Sequence, residues 1–349
     1  MNDITKYTIT KNACIKDALI YLDKLSDDVL TLFVMDGKRM IGTLTDGDVR
    51  RALIRDIPLN TSIEQVMNTR FKFISPEEKN IQKIRQIRSS GVQLLPCLNE
   101  EGELLTIYNL KAKKSILPLD AVLMAGGKGE RLRPLTEKTP KPLLKVGNKA
   151  IIDYNIDNLI SYGVNNIHVT TNYLAEQLEE HFKEDRQGIK IACVREKEFL
   201  GTIASVKLIP NLIHDEVLIM NSDLFTNIDF EDFYRHFMEK DADMSAVAIP
   251  YAINVPYGIF ELEGRNIKKI EEKPTYNYYA NAGIYLIKRH LLDLIPEGSF
   301  FNATDFMDLL VSGGKSVIRY PLMGYWIDIG KPEDFRKAQD FAKHMEGKA

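Results

Sequence analysis

Residues 123–147 read LMAGGKGERLRPLTEKTPKPLLKVG, and both the fold and the chemistry of the chain turn on them. An apolar run at 119–123 precedes the segment, so a buried parallel strand is expected to empty into a loop with glycine at three of four positions: Gly126, Gly127 and Gly129. Glycine lets main-chain N–H groups approach a ligand closely, and a row of such groups suits a polyphosphate. Arg131, Arg133, Lys138 and Lys141 bring cations to the same mouth. Two other glycine loops are excluded. A P-loop requires G-x-x-x-x-G-K-[ST], and this segment has no Gly-Lys-Ser or Gly-Lys-Thr. A dinucleotide fingerprint begun at Gly127 requires glycine at 132, where Leu132 stands.

What remains resembles the signature of the sugar-1-phosphate nucleotidyltransferases, GGxGTRLxPLT followed by PKPL. It is carried by Gly126, Gly127, Gly129, Arg131, Leu132, Pro134, Leu135 and Thr136, then by Pro140, Lys141, Pro142 and Leu143. Glu130 stands where that family commonly has threonine, a departure a surface loop can absorb. The resemblance implies a mostly parallel, Rossmann-like α/β sheet covered by helices. It also implies nucleotidyl transfer from a nucleoside triphosphate to a sugar 1-phosphate. By the same resemblance Leu123, Ala125, Gly126, Gly127 and Gly129 lie along the nucleotide. Arg131 would hold the leaving pyrophosphate and Lys141 the α-phosphate region.

A length of 349 residues suits two ordinary domains, and 44% hydrophobic with 27% charged residues is the composition of a soluble globular protein. A net charge of −3 leaves no electrostatic footprint for nucleic acid or an anionic membrane, and neither is expected as a partner. The opening MNDITKYTITKNAC has no apolar core like that of a signal peptide, and no run reaches the length of a membrane span. Cys14, Cys97 and Cys193 are scattered and odd in number, which fits reduced, packed side chains. A cytoplasmic location is expected.

Up to about residue 115 the chain states one pattern twice. The first copy reads helix 15–25, strand 31–35, an Asp36-Gly37 turn, strand 40–44 and helix 46–55; the second reads helix 80–89, strand 94–98, a turn at 100–102 and strand 103–107. Helical spacing (Ile81, Ile84, Ile87) alternates with strands joined by Asp-Gly or Glu-Gly turns. Two copies make a pseudo-symmetric pair, since solenoids need at least about three. Residues 1–115 thus resemble a CBS-domain pair, a small α+β module that often binds adenosine nucleotides between its copies. The short CBS ligand pattern Gly-x-x-Thr-x-x-Asp is met in copy one by Gly42, Thr45 and Asp48, so an adenine or guanine nucleotide at Thr45 and Asp48 is implied. Copy two has Glu103 where that glycine belongs, and Thr45 and Asp46 are also good helix N-caps. CBS pairs often dimerise, so a homo-oligomer is expected.

After Lys111-Ala112-Lys113-Lys114 the grammar changes to alternating strands (119–124, 167–171, 189–194, 217–220, 244–249, 282–287) and helices (153–161, 174–182, 230–240). Residues 116–349 are read as the catalytic domain, its ligands at the carboxyl ends of the strands. Asn221-Ser222-Asp223 closes one strand, and 324–332 reads GYWIDIGKP; by the resemblance Asp223 and Asp328 carry Mg2+, which needs only one or two carboxylates beside substrate phosphates and waters. Gly258, Glu272, Lys273 and Asn281 match the sugar-phosphate side. Residues 195–204, REKEFLGTIA, are similar to the base-reading segment, with Gly201 in its turn. Glu196 lies where a carboxylate accepts from N1–H and N2–H of guanine together, which favours GTP; UTP- or dTTP-using relatives stay open. The six histidines form no cluster, consistent with a phosphate nucleophile that arrives already ionised. The fused architecture is similar to bacterial guanylyltransferases of surface-glycan synthesis, including the kind that makes GDP-glucosamine for legionaminic acid. Mannose or heptose 1-phosphate remains an alternative, and a non-catalytic nucleotide sensor is the rival from another class.

Overall fold

The structure is a computed structural model and describes residues 4–76, 78 and 80–346. The chain divides into two compact units: Met1–Pro118 with Ile160–Val164 and Gln187–Ile189, and the remainder.

In unit one, copy one comprises β1 (Thr8–Thr10), α1 (Ile15–Asp23), β2 (Thr31–Asp36), β3 (Arg39–Thr45) and α2 (Asp46–Ile54). Copy two comprises α3 (Ile81–Ser89), β4 (Leu94–Leu98) and β5 (Leu104–Asn109). Helix α3 buries Ile81, Ile84 and Ile87, one stripe at helical spacing. Strand β1 runs parallel to β2, and in copy two a single parallel bridge between Ile74 and Cys97 takes the equivalent place. The copies are joined at their hairpin ends: Met40 N–H donates to the Gly102 carbonyl at 3.0 Å and Leu104 N–H to that of Lys38 at 3.3 Å. Ile15, Leu32, Phe33, Val34, Leu44 and Ile63 are completely buried, each burial contributing about 1.5–3 kcal/mol before entropy is counted. After β5 the chain turns at residues 110–112, where copy one has α2, so the symmetry is incomplete.

Unit two begins with β6 (Asp120–Ala125). A two-rung hairpin, β7 (Lys145–Val146) and β8 (Lys149–Ala150), precedes α4 (Ile151–Ser161), β9 (Asn166–Thr171), α5 (Ala175–His181) and β10 (Ile191–Arg195). Next come β11 (Glu216–Asn221), β12 (Leu224–Thr226), α6 (Phe230–Glu239) and β13 (Met244–Asn254), then β14 (Ile259–Glu263) and β15 (Asn266–Glu271). The chain closes with β16 (Thr275–Lys288), α7 (Ala303–Ser312), β17 (Val317–Pro321), β18 (Trp326–Asp328) and α8 (Pro332–Glu346). Seven strands form one sheet in the order β10-β9-β6-β11-β16-β13-β17. From β10 to β11 it is parallel, and β9, β6 and β11 are buried on both faces, as continuous apolar runs such as 121–123 require.

The expected mostly parallel sheet is present, with one exception. Strand β16 is antiparallel to both β11 and β13. The reason lies in the connection: the chain returns from β13 to β16 through the hairpin β14–β15, and a return without a crossover helix reverses the strand. Strands expected at 244–249 and 282–287 are the inner ends of two much longer ones, of 11 and 14 residues. A separate two-stranded sheet pairs β12 with β18, Leu224 opposite Asp328, over a small core in which Phe225 meets Tyr154 edge to face at 5.0 Å.

Candidate active site

The carboxyl ends of β6 and β11 are adjacent and stitched together: the Ser222 hydroxyl donates to the Met124 carbonyl at 2.7 Å. Both strands therefore deliver their following loops to one place. Two of the three glycines at 126–129 are needed there, for different reasons. At Gly126 a Cβ would stand 2.6 Å from Glu196 Oε1. Gly129 has φ +62°, and a Cβ on it would meet the Thr136 methyl at 3.0 Å and Lys141 Cβ at 3.2 Å. Gly127 has nothing within 4 Å of that position and faces open space. The result is a cavity of about 570 Å3 lined by the loop and by Arg131, Lys141, Glu196, Gly201 and Asp223.

At its rim the Lys141 ammonium pairs with Asp223 Oδ2 and lies 3.7 Å from Asp328 Oδ1. The β12–β18 ladder brings the two carboxylates together across 105 residues of sequence, since it sets Leu224 opposite Asp328. Burial, and then the charge of Asp223, hold the Asp328 carboxyl above the usual carboxylate range; Lys141 and Arg131 oppose them. The Arg131 guanidinium lies at Gly330, where a Cβ would be 3.3 Å from Nη2. Asp223 Oδ1 is buried without a hydrogen-bond partner. An orphaned carboxylate oxygen beside a second carboxylate fits a hard divalent cation completed by substrate oxygens. Among the described residues no three His, Cys, Asp or Glu side chains converge into a closed metal cage.

Glu196, at the far wall, is 3% exposed. Burial pushes its carboxyl up, and the Leu200 N–H, donating at 3.0 Å to Oε2, only partly offsets this. The unfolded chain loses this proton near the ordinary glutamate value, about 4.3, and the folded chain only at higher pH. Ionisation therefore subtracts stability as pH rises between the two values, and the deficit persists at neutral pH. Glu196→Gln should raise the melting temperature at pH 7, on the order of 2–4 °C for each kcal/mol recovered, and leave it unchanged near pH 4. Equal shifts at both pH values in thermal melts would contradict a charge penalty.

The structure brings Ala125, Gly126, Gly127, Gly129, Arg131, Lys141, Glu196, Gly201 and Asp223 to one cavity, with Asp328 beside Lys141 at its edge. Leu123 does not reach it; its side chain is completely buried in the sheet, and Met124 lines the cavity instead. Gly201, at φ +87°, is demanded by the Phe301 carbonyl, 2.6 Å from where its Cβ would be. Gly258, Glu272, Lys273 and Asn281 do not line the cavity. Of these, Glu272 Oε2 lies 2.9 Å from a Cβ position on Gly258, and Asn281 is held at both ends of its amide, donating to the Tyr285 hydroxyl at 2.8 Å and accepting from Gly283 N–H at 2.9 Å. Asn172, Thr202 and Asn221, to which the sequence assigns no role, also line the cavity. Asn172 and Asn221 stand at the carboxyl ends of β9 and β11, so the strand-end rule applied to every strand finds both.

In unit one, Thr45 and Asp48 close a capping box on α2, with Asp48 also 2.6 Å from Arg51. At Gly42 a Cβ would stand 2.6 Å from the Met67 sulfur. The cleft of about 790 Å3 in this unit is lined by Thr8, Asp17, Tyr21, Lys38 and Glu103 among others, and not by Thr45 or Asp48.

Residues 120–344 match the family described as nucleotidyl transferase. The chain belongs to the nucleotidyl transferase family. Among curated relatives of this nucleotidyl transferase, the mannose-1-phosphate guanylyltransferase catalytic subunit beta of Xenopus tropicalis is 31% identical over 226 residues, 62% of this chain and 62% of that protein. The bifunctional protein GlmU of Methanocaldococcus jannaschii is 31% identical over 232 residues, 64% of this chain and 54% of that protein. The chain thus spans under two thirds of the length of these relatives. The crystal structure of HddC from Yersinia pseudotuberculosis shares the fold, with a TM-score of 0.50 at 24% identity, covering 63% of this chain and 98% of that one.

Proposed function

We propose that this nucleotidyl transferase joins a nucleoside triphosphate, GTP by preference, to a sugar 1-phosphate, releasing pyrophosphate and a nucleotide sugar. The observation that carries the reading is Lys141 seated between Asp223 and Asp328 at the mouth of a glycine-lined cavity. A phosphate oxygen of the sugar 1-phosphate attacks the α-phosphorus. The new P–O bond forms as the bond to the β-phosphate oxygen breaks, and pyrophosphate leaves with the electron pair. The nucleophile arrives ionised and needs no general base, and among the described residues no histidine lines the cavity. The residues' task is alignment of two repelling anions and stabilisation of phosphoryl charge. Arg131 meets the β- and γ-phosphates and Lys141 the α-phosphate. Asp223 and Asp328 are the residues that would hold Mg2+, which when bound neutralises phosphate charge.

Glu196 supports guanine: a buried carboxylate in the cavity wall matches the N1–H and N2–H donor pair that uracil and thymine lack. Gly258, Glu272, Lys273 and Asn281 are assigned to the sugar phosphate. Glucosamine 1-phosphate, on a route to legionaminic acid, and mannose or heptose 1-phosphate are the candidate sugars. Unit one is assigned as a CBS pair that takes an adenine or guanine nucleotide, and the enzyme is placed in the cytoplasm. Among the described residues no helix is long and apolar enough to cross a membrane.

Pyrophosphate release from a panel of four triphosphates against these sugar 1-phosphates, with Mg2+ present, tests the assignments together. Turnover with GTP should exceed that with UTP or dTTP by about tenfold or more, and added AMP or ATP should alter the rate through unit one. Release from no pair would leave the non-catalytic sensor standing.

A further inference from the structure

Strand β11 ends at Asn221 and β12 begins at Leu224, so Asp223 stands in a two-residue turn between them. Other elements hold that turn. The Ser222 N–H and hydroxyl both donate to the Met124 carbonyl, at 3.2 and 2.7 Å, and the Ile329 N–H donates to the Asp223 carbonyl at 3.3 Å. A further tie comes from α4: the Asn155 amide donates to the Leu224 carbonyl at 2.8 Å and to the Ser222 carbonyl at 3.4 Å. One side chain thus grips the main chain immediately before and immediately after Asp223.

Asn155 is 3% exposed and does not line the cavity. Its helix is a rigid mount. Ile151, Ile152, Ile156 and Leu159 are completely buried. On the face opposite Asn155 the Arg186 guanidinium pairs with Asp153 at 3.1 Å and with Asp157 at 2.6 Å.

The two carbonyls fix more than one residue. Leu224 is the rung set opposite Asp328, so the shorter bond from Asn155 also holds the register partner of the second carboxylate. Asp223 Oδ1, buried without a hydrogen-bond partner, is carried on this turn and moves with it. A misplacement of about 1 Å that begins away from the chemistry can cost on the order of 10²-fold. Buried carbonyls need donors in any fold, and Asn158 supplies one without this consequence. One turn along α4, its amide donates at 3.4 Å to the Ile228 carbonyl, well past Asp223.

We infer that Asn155 is a positioning residue for the divalent cation: from outside the cavity it sets Asp223 and Asp328 at the separation the cation needs. This rests on the assignment of the two aspartates to Mg2+. Removing a group that orients metal ligands typically costs about 10–100-fold in metal affinity or activity.

The test uses the full chain and Mn2+ alone as the probe, the free ion read by electron paramagnetic resonance with no substrate present. Asn155→Ala should weaken Mn2+ binding about tenfold, and Asn158→Ala should leave it within about twofold of the parent. In turnover the half-saturating Mg2+ should rise about tenfold in Asn155→Ala, with the KM for the sugar 1-phosphate within about twofold. Thermal melts show whether each variant is folded at the assay temperature. Should Asn155→Ala not fold, Asn155→Ser, which keeps a hydroxyl donor, takes its place with a loss in the same direction. Parent-like Mn2+ binding in the Asn155 variant overturns the inference, and so does an equal loss in Asn158→Ala, which means a general loosening of α4. A parent that binds no Mn2+, or an Asp223→Ala that binds it as the parent does, removes the metal assignment and the inference with it. Mn2+ bound through Asp223 in a protein that turns over no sugar 1-phosphate leaves the positioning intact and removes the proposed function instead.

Discussion

Asp223→Ala is expected to lower kcat/KM for the triphosphate on the order of 10³-fold, the largest loss among single substitutions at this site. Asp223 does two things at once. Its Oδ2 accepts from Lys141, and its buried Oδ1 has no other partner. Removing it takes away one of two carboxylates fit for a divalent cation. It also leaves Lys141 with only the more distant Asp328 to balance it in a partly buried place. Asp223→Asn keeps the volume but not the charge, so it should lose nearly as much if charge is what matters. Initial rates over a Mg2+ titration provide the check. A parent-like rate in either variant would sink the assignment, whereas a loss accompanied by a collapsed melting temperature would point to folding, which a melt of each variant separates.

The second large effect is expected at Arg131. Arg131→Ala should cost on the order of 10²–10³ in kcat if, as proposed, the guanidinium meets charge that grows on the leaving pyrophosphate as the bond breaks. Arg131→Lys should recover little, since a single ammonium cannot reproduce the planar fork. Arg131 is exposed and stands against Gly330, so its loss leaves no hole in a core and stability should barely change. Run in reverse, pyrophosphorolysis should show the defect as a raised KM for pyrophosphate. An unchanged pyrophosphate KM together with normal kcat would remove Arg131 from the leaving-group role.

Much of this was legible before any coordinates. The glycine loop, with Arg131 and Lys141 close behind it in sequence, is a local device whose parts are covalently near. Its spacing is therefore almost its geometry. Apolar runs such as 217–220 announced strands buried on both faces, as in a sheet covered by helices on each side. The reversal of β16 was not legible, because a run of apolar residues has no direction; the hairpin at 259–271 sets it. Leu123 shows a related limit: it lies too far back along β6, its side chain completely buried in the sheet, while Met124 and Ala125 at the carboxyl end reach the cavity. Thr45 and Asp48 match a short motif that also spells a capping box, and a pattern of three residues cannot separate the two uses.

The sequence by itself determined the family, because a glycine-lined cradle and its cations are written within 25 consecutive residues. Only the tertiary structure decided how that cradle is completed. Asp223 and Asp328 converge because β12 and β18 pair, and Glu196 reaches the loop because Gly126 leaves room for its carboxylate. Such contacts depend on strand register and on the space a missing Cβ opens, and both are properties of the folded backbone.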